Sequence, residues 1–105
     1  MFELLKNLFV NTNGTSLADK LSQSPFLVDV RSKDEFNSGS CKGAVNIPVD
    51  QIQNNLSKFK DKKNIVVFCR SGMRSSHAKS ILEKNGISNV TNGGTFEIVQ
   101  RLLNQ

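Results

Sequence analysis

A nucleophile and a set of anion-binding residues stand side by side in residues 66–77, which read VVFCRSGMRSSH. Cys69 ends an apolar run, and two arginines, a glycine and three serines follow it within seven positions. A thiol reacts as its thiolate, and its acidity rises near cations, at a helix N-terminus or among converging backbone N–H groups. Arg70 and Arg74 supply fixed charge, and Gly72 allows a tight curl of the backbone. The pattern predicts a loop whose amides surround the Cys69 sulfur and bind an anion there.

A second interpretation is that Cys69 is only the last apolar residue of a buried strand, because free cysteine is often buried. Burial alone would raise its pKa and leave it inert. The cationic and polar residues that follow Cys69 favour the reactive interpretation. At the edge of a sheet such residues are of use only if an anion binds there.

The elements that must position this loop follow from short apolar runs. Strands are predicted at 26–30, 44–49, 64–69 and about 87–91, with helices between them. Residues 65–68 are consecutively apolar, which is typical of a central parallel strand covered on both faces. The fold class predicted is therefore α/β, with a mostly parallel sheet of about five strands flanked by helices on both faces. In such sheets ligands bind at the carboxyl ends of the strands, where Cys69 lies.

Helical segments are predicted from apolar spacing and from start and stop residues. The last one is expected to turn Phe96, Val99, Leu102 and Leu103 inward. The others are predicted at 16–23, 32–39 and 49–59, and from about Ser75 to the stop at Gly86.

Three ordered segments of this chain resemble the rhodanese family of sulfurtransferases. They are FLVDVRSKDEFNSGSCKGAVNIP at 26–48, IVVFCRSGMRSSHAKSIL at 65–82 and GISNVTNGGTFE at 86–97. The resemblance implies a single rhodanese domain over 15–105, preceded by an extension or short helix at 1–14.

The resemblance also implies a persulfide cycle in which Cys69 is catalytic. Its thiolate would take the outer sulfur of a small anionic donor such as thiosulfate, and a protein or low-molecular-weight thiol would accept it. No metal and no organic cofactor are implied. The resemblance implies that the loop, with its two arginines, binds the substrate. The residues of the loop are Arg70, Ser71, Gly72, Met73, Arg74 and Ser75.

Two other functions remain open. One is a rhodanese-like module that binds a partner or senses oxidants with little turnover. The other is a cysteine phosphatase or arsenate reductase, in which the family pattern places an arginine six positions after the cysteine. That position is Ser75 here and the arginine comes one residue earlier, so the ring resembles one sized for sulfur.

The chain departs from the family pattern where Gly39, Ser40 and Cys41 replace the common Gly-His-Ile. Cys41 could receive sulfur from Cys69 or form a disulfide with it, but a small buried side chain in place of isoleucine is the favoured interpretation. The aromatic residue expected after the final glycines is displaced to Phe96.

Other polar residues near the first motif have two interpretations. Asp29, Arg31 and Glu35 could be an acid/base set, but a charged network that fixes the strand end is favoured. The single histidine, His77, is expected to be exposed rather than paired with the sulfur. The loop already explains the activation of Cys69.

Composition narrows the classes of partner and of cellular location that the chain could have. The 105 residues carry 14 lysines and arginines against 9 acids, a formal charge of +5 that favours anionic partners. No aromatic platform or recognition motif accompanies the lysines, so no nucleic-acid partner is predicted. Two cysteines without zinc or disulfide spacing suggest reduced thiols and a cytoplasmic protein. The apolar pieces of the N-terminus are too short for a signal or a membrane span. An amphipathic helix there could touch a membrane or a partner, but a short helix packed on the domain or a frayed end is favoured, so membrane contact is not expected.

Overall fold

The computed structural model describes residues 16–105, so the extension or short helix predicted over 1–14 lies outside the described residues. The elements follow the predicted alternation of strand and helix. In chain order they are α1 (Leu17–Leu21), β1 (Phe26–Asp29), α2 (Lys33–Asn37), β2 (Val45–Asn46), two 3₁₀ helices (Val49–Gln51 and Gln53–Lys58), β3 (Ile65–Cys69), α3 (Met73–Lys84), β4 (Val90–Thr95) and α4 (Phe96–Leu103).

The sheet has the order β2-β1-β3-β4, and every neighbouring pair is parallel. The predicted α/β class is confirmed, and β3 lies inside the sheet as expected. The predicted strand count is slightly too high, because residues 16–105 form four strands rather than about five. The strand predicted at 44–49 shrinks to Val45–Asn46, and the chain then enters a 3₁₀ helix after Pro48.

Alternate residues of β3 point to opposite sides of the sheet, and because both sets are apolar, helices cover both faces. Ile65, Val67 and Cys69 pack with α3 and the 3₁₀ segments, whereas Val66 and Phe68 pack with α1 and α4. All five residues are fully buried. The two apolar clusters therefore fix β3 from both sides and hold its carboxyl end at one place.

Two predicted elements differ from the structure in detail. The predicted helical segment 49–59 forms two 3₁₀ helices, and Asn55, with non-helical angles (φ −128°, ψ 26°), kinks the second of them. Its predicted apolar face is nevertheless buried, with Ile52 and Phe59 fully enclosed. The last strand begins at Val90 rather than at Ile87, because the Ile87 N–H caps α3 by donating to the Leu82 carbonyl.

Candidate active site

The loop after β3 wraps its backbone around the sulfur of Cys69. The Gly72 N–H donates to the sulfur over 3.0 Å, and the Ser75 N–H donates over 3.4 Å. The Ser75 hydroxyl lies 3.5 Å from the same sulfur. Gly72 has φ +94°, a left-handed conformation that side chains disfavour, and it forms the N-cap of α3. The sulfur thus has the apolar core behind it and main-chain donors in front of it.

These contacts act on the acidity of the thiol. Burial raises the pKa of Cys69, but hydrogen bonds from the Ser75 hydroxyl and from backbone N–H groups outweigh burial, so the pKa lies below its ordinary value. The backbone donors are those of Ser75, Ser71 and Gly72. Cys69 has no exposed surface, so a reagent reaches the sulfur only after a neighbouring group moves aside.

β4 carries a further polar side chain to the loop, that of Asn92, and a bulge follows it. Val67 pairs with Asn92 and Phe68 pairs with Gly94, which leaves Gly93 as an extra residue between the pairs. A Cβ at Gly93 would come within 2.9 Å of a Val99 methyl, so only glycine fits there. Paired residues share a face of the sheet, so Asn92 lies on the face of Val67 and hence of Cys69.

Asn92 binds the loop through both ends of its amide. Its oxygen accepts from the Ser75 hydroxyl over 2.7 Å and from the Gly94 N–H over 2.9 Å. Its nitrogen donates to the Gly72 carbonyl over 3.2 Å. Sequence reasoning missed this residue, because the last strand was predicted to end at Thr91. An asparagine before two glycines suggests a turn when only local sequence is considered.

The other loop side chains are largely exposed. Met73 is 76% exposed, and Arg70, Ser71 and His77 are also exposed. The predicted exposure of His77 agrees with this placement.

Arg74 is directed at Glu35 of α2 rather than over the sulfur. Its two terminal nitrogens donate to the two carboxylate oxygens over 2.8 and 3.2 Å. The hydrogen bond from Arg74 and the capping contacts of Ser32 lower the pKa of Glu35 to about 2. Arg74 is 38% exposed and Glu35 29%, so solvent screens the pair.

A cavity of about 330 Å³ opens beside Arg74. Its walls carry the cations of Arg74 and Lys33 together with the acid Asp50. Cys69 does not line this cavity. The remaining lining residues are Val30, Ser32, Pro48, Val49 and Gln51.

The network predicted from Asp29, Arg31 and Glu35 is divided in two. Arg31 binds Asp29 through Nε at 3.0 Å to both oxygens and through Nη2 at 2.7 Å. Both residues are buried. The Ser40 hydroxyl donates to Asp29 over 2.7 Å, and Arg31 also donates to the Gly39 carbonyl. Glu35 takes no part in these bonds, since it pairs with Arg74.

Cys41 lies on the other side of the sheet from Cys69. It is 4% exposed, packs among Phe68 and Val99, and its S–H donates to the Phe96 carbonyl over 3.7 Å. Burial and the Asp29 charge raise the pKa of this thiol to about 11, although Arg31 acts in the opposite direction. Both cysteines are free.

None of the helices within residues 16–105 is long and apolar enough to cross a membrane. No group of three or more His, Cys, Asp or Glu side chains in the same range is arranged to hold a metal ion.

The chain is similar to known proteins in sequence and in fold. A Schizosaccharomyces pombe protein, provisionally named a mitochondrial thiosulfate sulfurtransferase, is 34% identical over 87% of this chain and 68% of its own length. The thiosulfate sulfurtransferase PspE of Escherichia coli is 32% identical over 64% of this chain and 66% of its own length. A structure described as a rhodanese with anions from E. coli superposes with a TM-score of 0.65, at 28% identity, over 71% of this chain and 91% of that one. The Rhodanese-like domain family matches residues 14–100, and the chain belongs to this family.

Proposed function

We propose that the protein is a sulfurtransferase that carries sulfane sulfur on Cys69 as a persulfide. The observation that carries the proposal is the convergence of the Gly72 and Ser75 N–H groups on the sulfur. These donors stabilise negative charge on that atom and on a sulfur bound to it. Relatives named as thiosulfate sulfurtransferases support the same chemistry.

The loading step balances without any further reactant. The Cys69 thiolate attacks the outer sulfur of thiosulfate, a new S–S bond forms, and the S–S bond of the donor breaks. Sulfite leaves with the electron pair of the broken bond, and the protein keeps one negative charge as Cys69–S–S⁻. An acceptor thiolate then attacks the outer sulfur and restores the Cys69 thiolate.

Two free thiols suit a reducing compartment, and cytoplasmic localisation stays a prediction.

Incubation with thiosulfate should add the mass of one sulfur atom to the protein, and cyanide or dithiothreitol should remove it. The Cys69→Ser variant should gain nothing. The Cys41→Ser variant is the matched control and should load normally, because its thiol lies on the opposite side of the sheet. Turnover of thiosulfate by the Cys69→Ser protein would show that the mechanism is wrong. A reactive Cys69 that never gains sulfur would favour a sensing or binding module.

We assign donor binding to Arg74, whose guanidinium has N–H groups beyond the two that bind Glu35. Charge-assisted bonds to an anion are the strong ones, so Arg74→Ala should raise the thiosulfate concentration for half-maximal loading by about tenfold. Lys84→Ala removes the same charge at the far end of α3 and serves as the control. An equal effect of the two substitutions would remove Arg74 from the binding role.

A further inference from the structure

The Ser75 hydroxyl has one proton and three acceptors within reach. The Asn92 amide oxygen is at 2.7 Å, the Gly72 carbonyl at 3.1 Å and the Cys69 sulfur at 3.5 Å. A hydroxyl donates to only one of them at a time. Where this proton points therefore affects the charge that the sulfur can hold.

The orientation of the Asn92 amide follows from its fixed partners. The Gly94 N–H can only donate, so the amide oxygen faces it, and the Gly72 carbonyl can only accept, so the amide nitrogen faces that group. The Ser75 hydroxyl consequently meets an acceptor at 2.7 Å. A contact of this length between two oxygens requires the proton to lie between them.

The two ionisation states of Cys69 need different positions of this proton. When the thiol is neutral, its S–H can donate to the Ser75 oxygen while the hydroxyl donates to Asn92. When the sulfur is a thiolate, the hydroxyl stabilises its charge only by turning and donating to the sulfur. The Asn92 oxygen then keeps its bond from the Gly94 N–H, so it is not left without a partner.

We propose that Asn92 is a positioning residue that competes with the Cys69 thiolate for the proton of the Ser75 hydroxyl and thereby limits the acidity of the thiol. It deepens the proposed function, on which it rests only in taking the thiolate as the reacting form. Asn92 reaches the sulfur through Ser75, and it has no contact of its own with the reacting atom among the hydrogen bonds of the described residues.

Charged groups around the thiol are few. On α3 the nearest is Arg74, which Glu35 of α2 neutralises in part. The Asp29–Arg31 pair at the end of β1 lies on the Cys41 side of the sheet. β4 carries Asn92 and has no titratable side chain, and on the loop Arg70 is exposed.

The chain suits a direct measurement, because it has no tyrosine and no tryptophan to mask the ultraviolet absorbance of a thiolate. The test uses the full chain with Cys41→Ala, so that Cys69 is the only thiol. Asn92→Ala should lower the pKa of Cys69 by about half a unit to one unit, the size expected for one neutral hydrogen bond. Ser75→Ala should raise the pKa. In the Ser75→Ala background, Asn92→Ala should change nothing further.

Asn92→Val is the second variant, since its branched side chain suits a strand and also lacks the acceptor. A rise in pKa for the Asn92 variants that fold, no change, or an equal shift with and without Ser75 would overturn the proposal. A role limited to holding the loop predicts that rise. If the pKa values shift as expected while no sulfur is transferred, the proposed function fails and the role of Asn92 stands.

Discussion

Each of the two cysteines has an arginine–carboxylate pair near it, but the two surroundings differ. On the Cys41 side, Arg31 and Asp29 are buried, they bind each other, and Asp29 also accepts a hydrogen bond from Ser40. On the Cys69 side, Arg74 and Glu35 remain partly exposed, and backbone donors face the sulfur. Burial dominates the first thiol and hydrogen bonds dominate the second, so their pKa values move in opposite directions. Between these two buried thiols, the hydrogen-bond donors rather than the extent of burial account for the difference in the direction of the pKa shift.

The largest expected effect comes from breaking the buried pair. Asp29→Asn leaves the Arg31 charge buried without its partner and should lower the free energy of unfolding by about 3–5 kcal/mol. Chemical denaturation measures this loss. Glu35→Gln, at the exposed pair, is the matched control and should cost under about 1 kcal/mol. Equal losses would contradict the distinction between the two pairs.

A smaller effect is expected from Gly72→Ala. Alanine at φ +94° should cost about 1–2 kcal/mol and displace the N–H that faces the sulfur, so the pKa of Cys69 should rise. A thiolate absorbance titration and a thermal melt measure the two effects.

Gly86→Ala is the control for this substitution, because Gly86 also has positive φ (+84°) and lies at the other end of α3. It should lose similar stability and leave the pKa of Cys69 unchanged. A Cys69 pKa that moves as much in this control would show that general destabilisation, rather than the loop, controls the thiol.

The smallest effect concerns the pH dependence of the exposed pair. Folding lowers the pKa of Glu35 from 4.5 to about 2, but solvent screens this partly exposed pair, so the stabilisation that it brings stays under about 1 kcal/mol. Its contribution to stability is therefore complete above about pH 4.5 and is lost as the pH falls through about 2. In Glu35→Gln that contribution is absent, so the melting temperature should decline less steeply than in the parent protein over this range. Parallel curves for the two proteins would remove the pair as a source of acid sensitivity.

Local sequence sufficed for features that depend on neighbouring residues. The apolar run of β3, Gly72 and the serines after it predicted both a central strand and a loop around Cys69. The interactions between distant residues could not be predicted in this way. Asn92 reaches Ser75 across 17 positions, because its pairing with Val67 puts it on the Cys69 face of the sheet. Glu35 reaches Arg74 across 39 positions of sequence.

Backbone conformation was also beyond local patterns in places. The apolar spacing of residues 49–59 correctly predicted the buried face, since that spacing is similar in α and 3₁₀ helices. It did not predict the break at Asn55, whose non-helical angles interrupt the second 3₁₀ helix.

The hydrogen-bond donors around Cys69 make its thiol more acidic than that of Cys41. The most direct test is a thiolate absorbance titration of two single-thiol proteins, Cys41→Ala and Cys69→Ala. Cys69 should ionise with a pKa below the ordinary value of a thiol, and Cys41 should ionise with a pKa of about 11. Equal pKa values, or a Cys69 that ionises above Cys41, would contradict it.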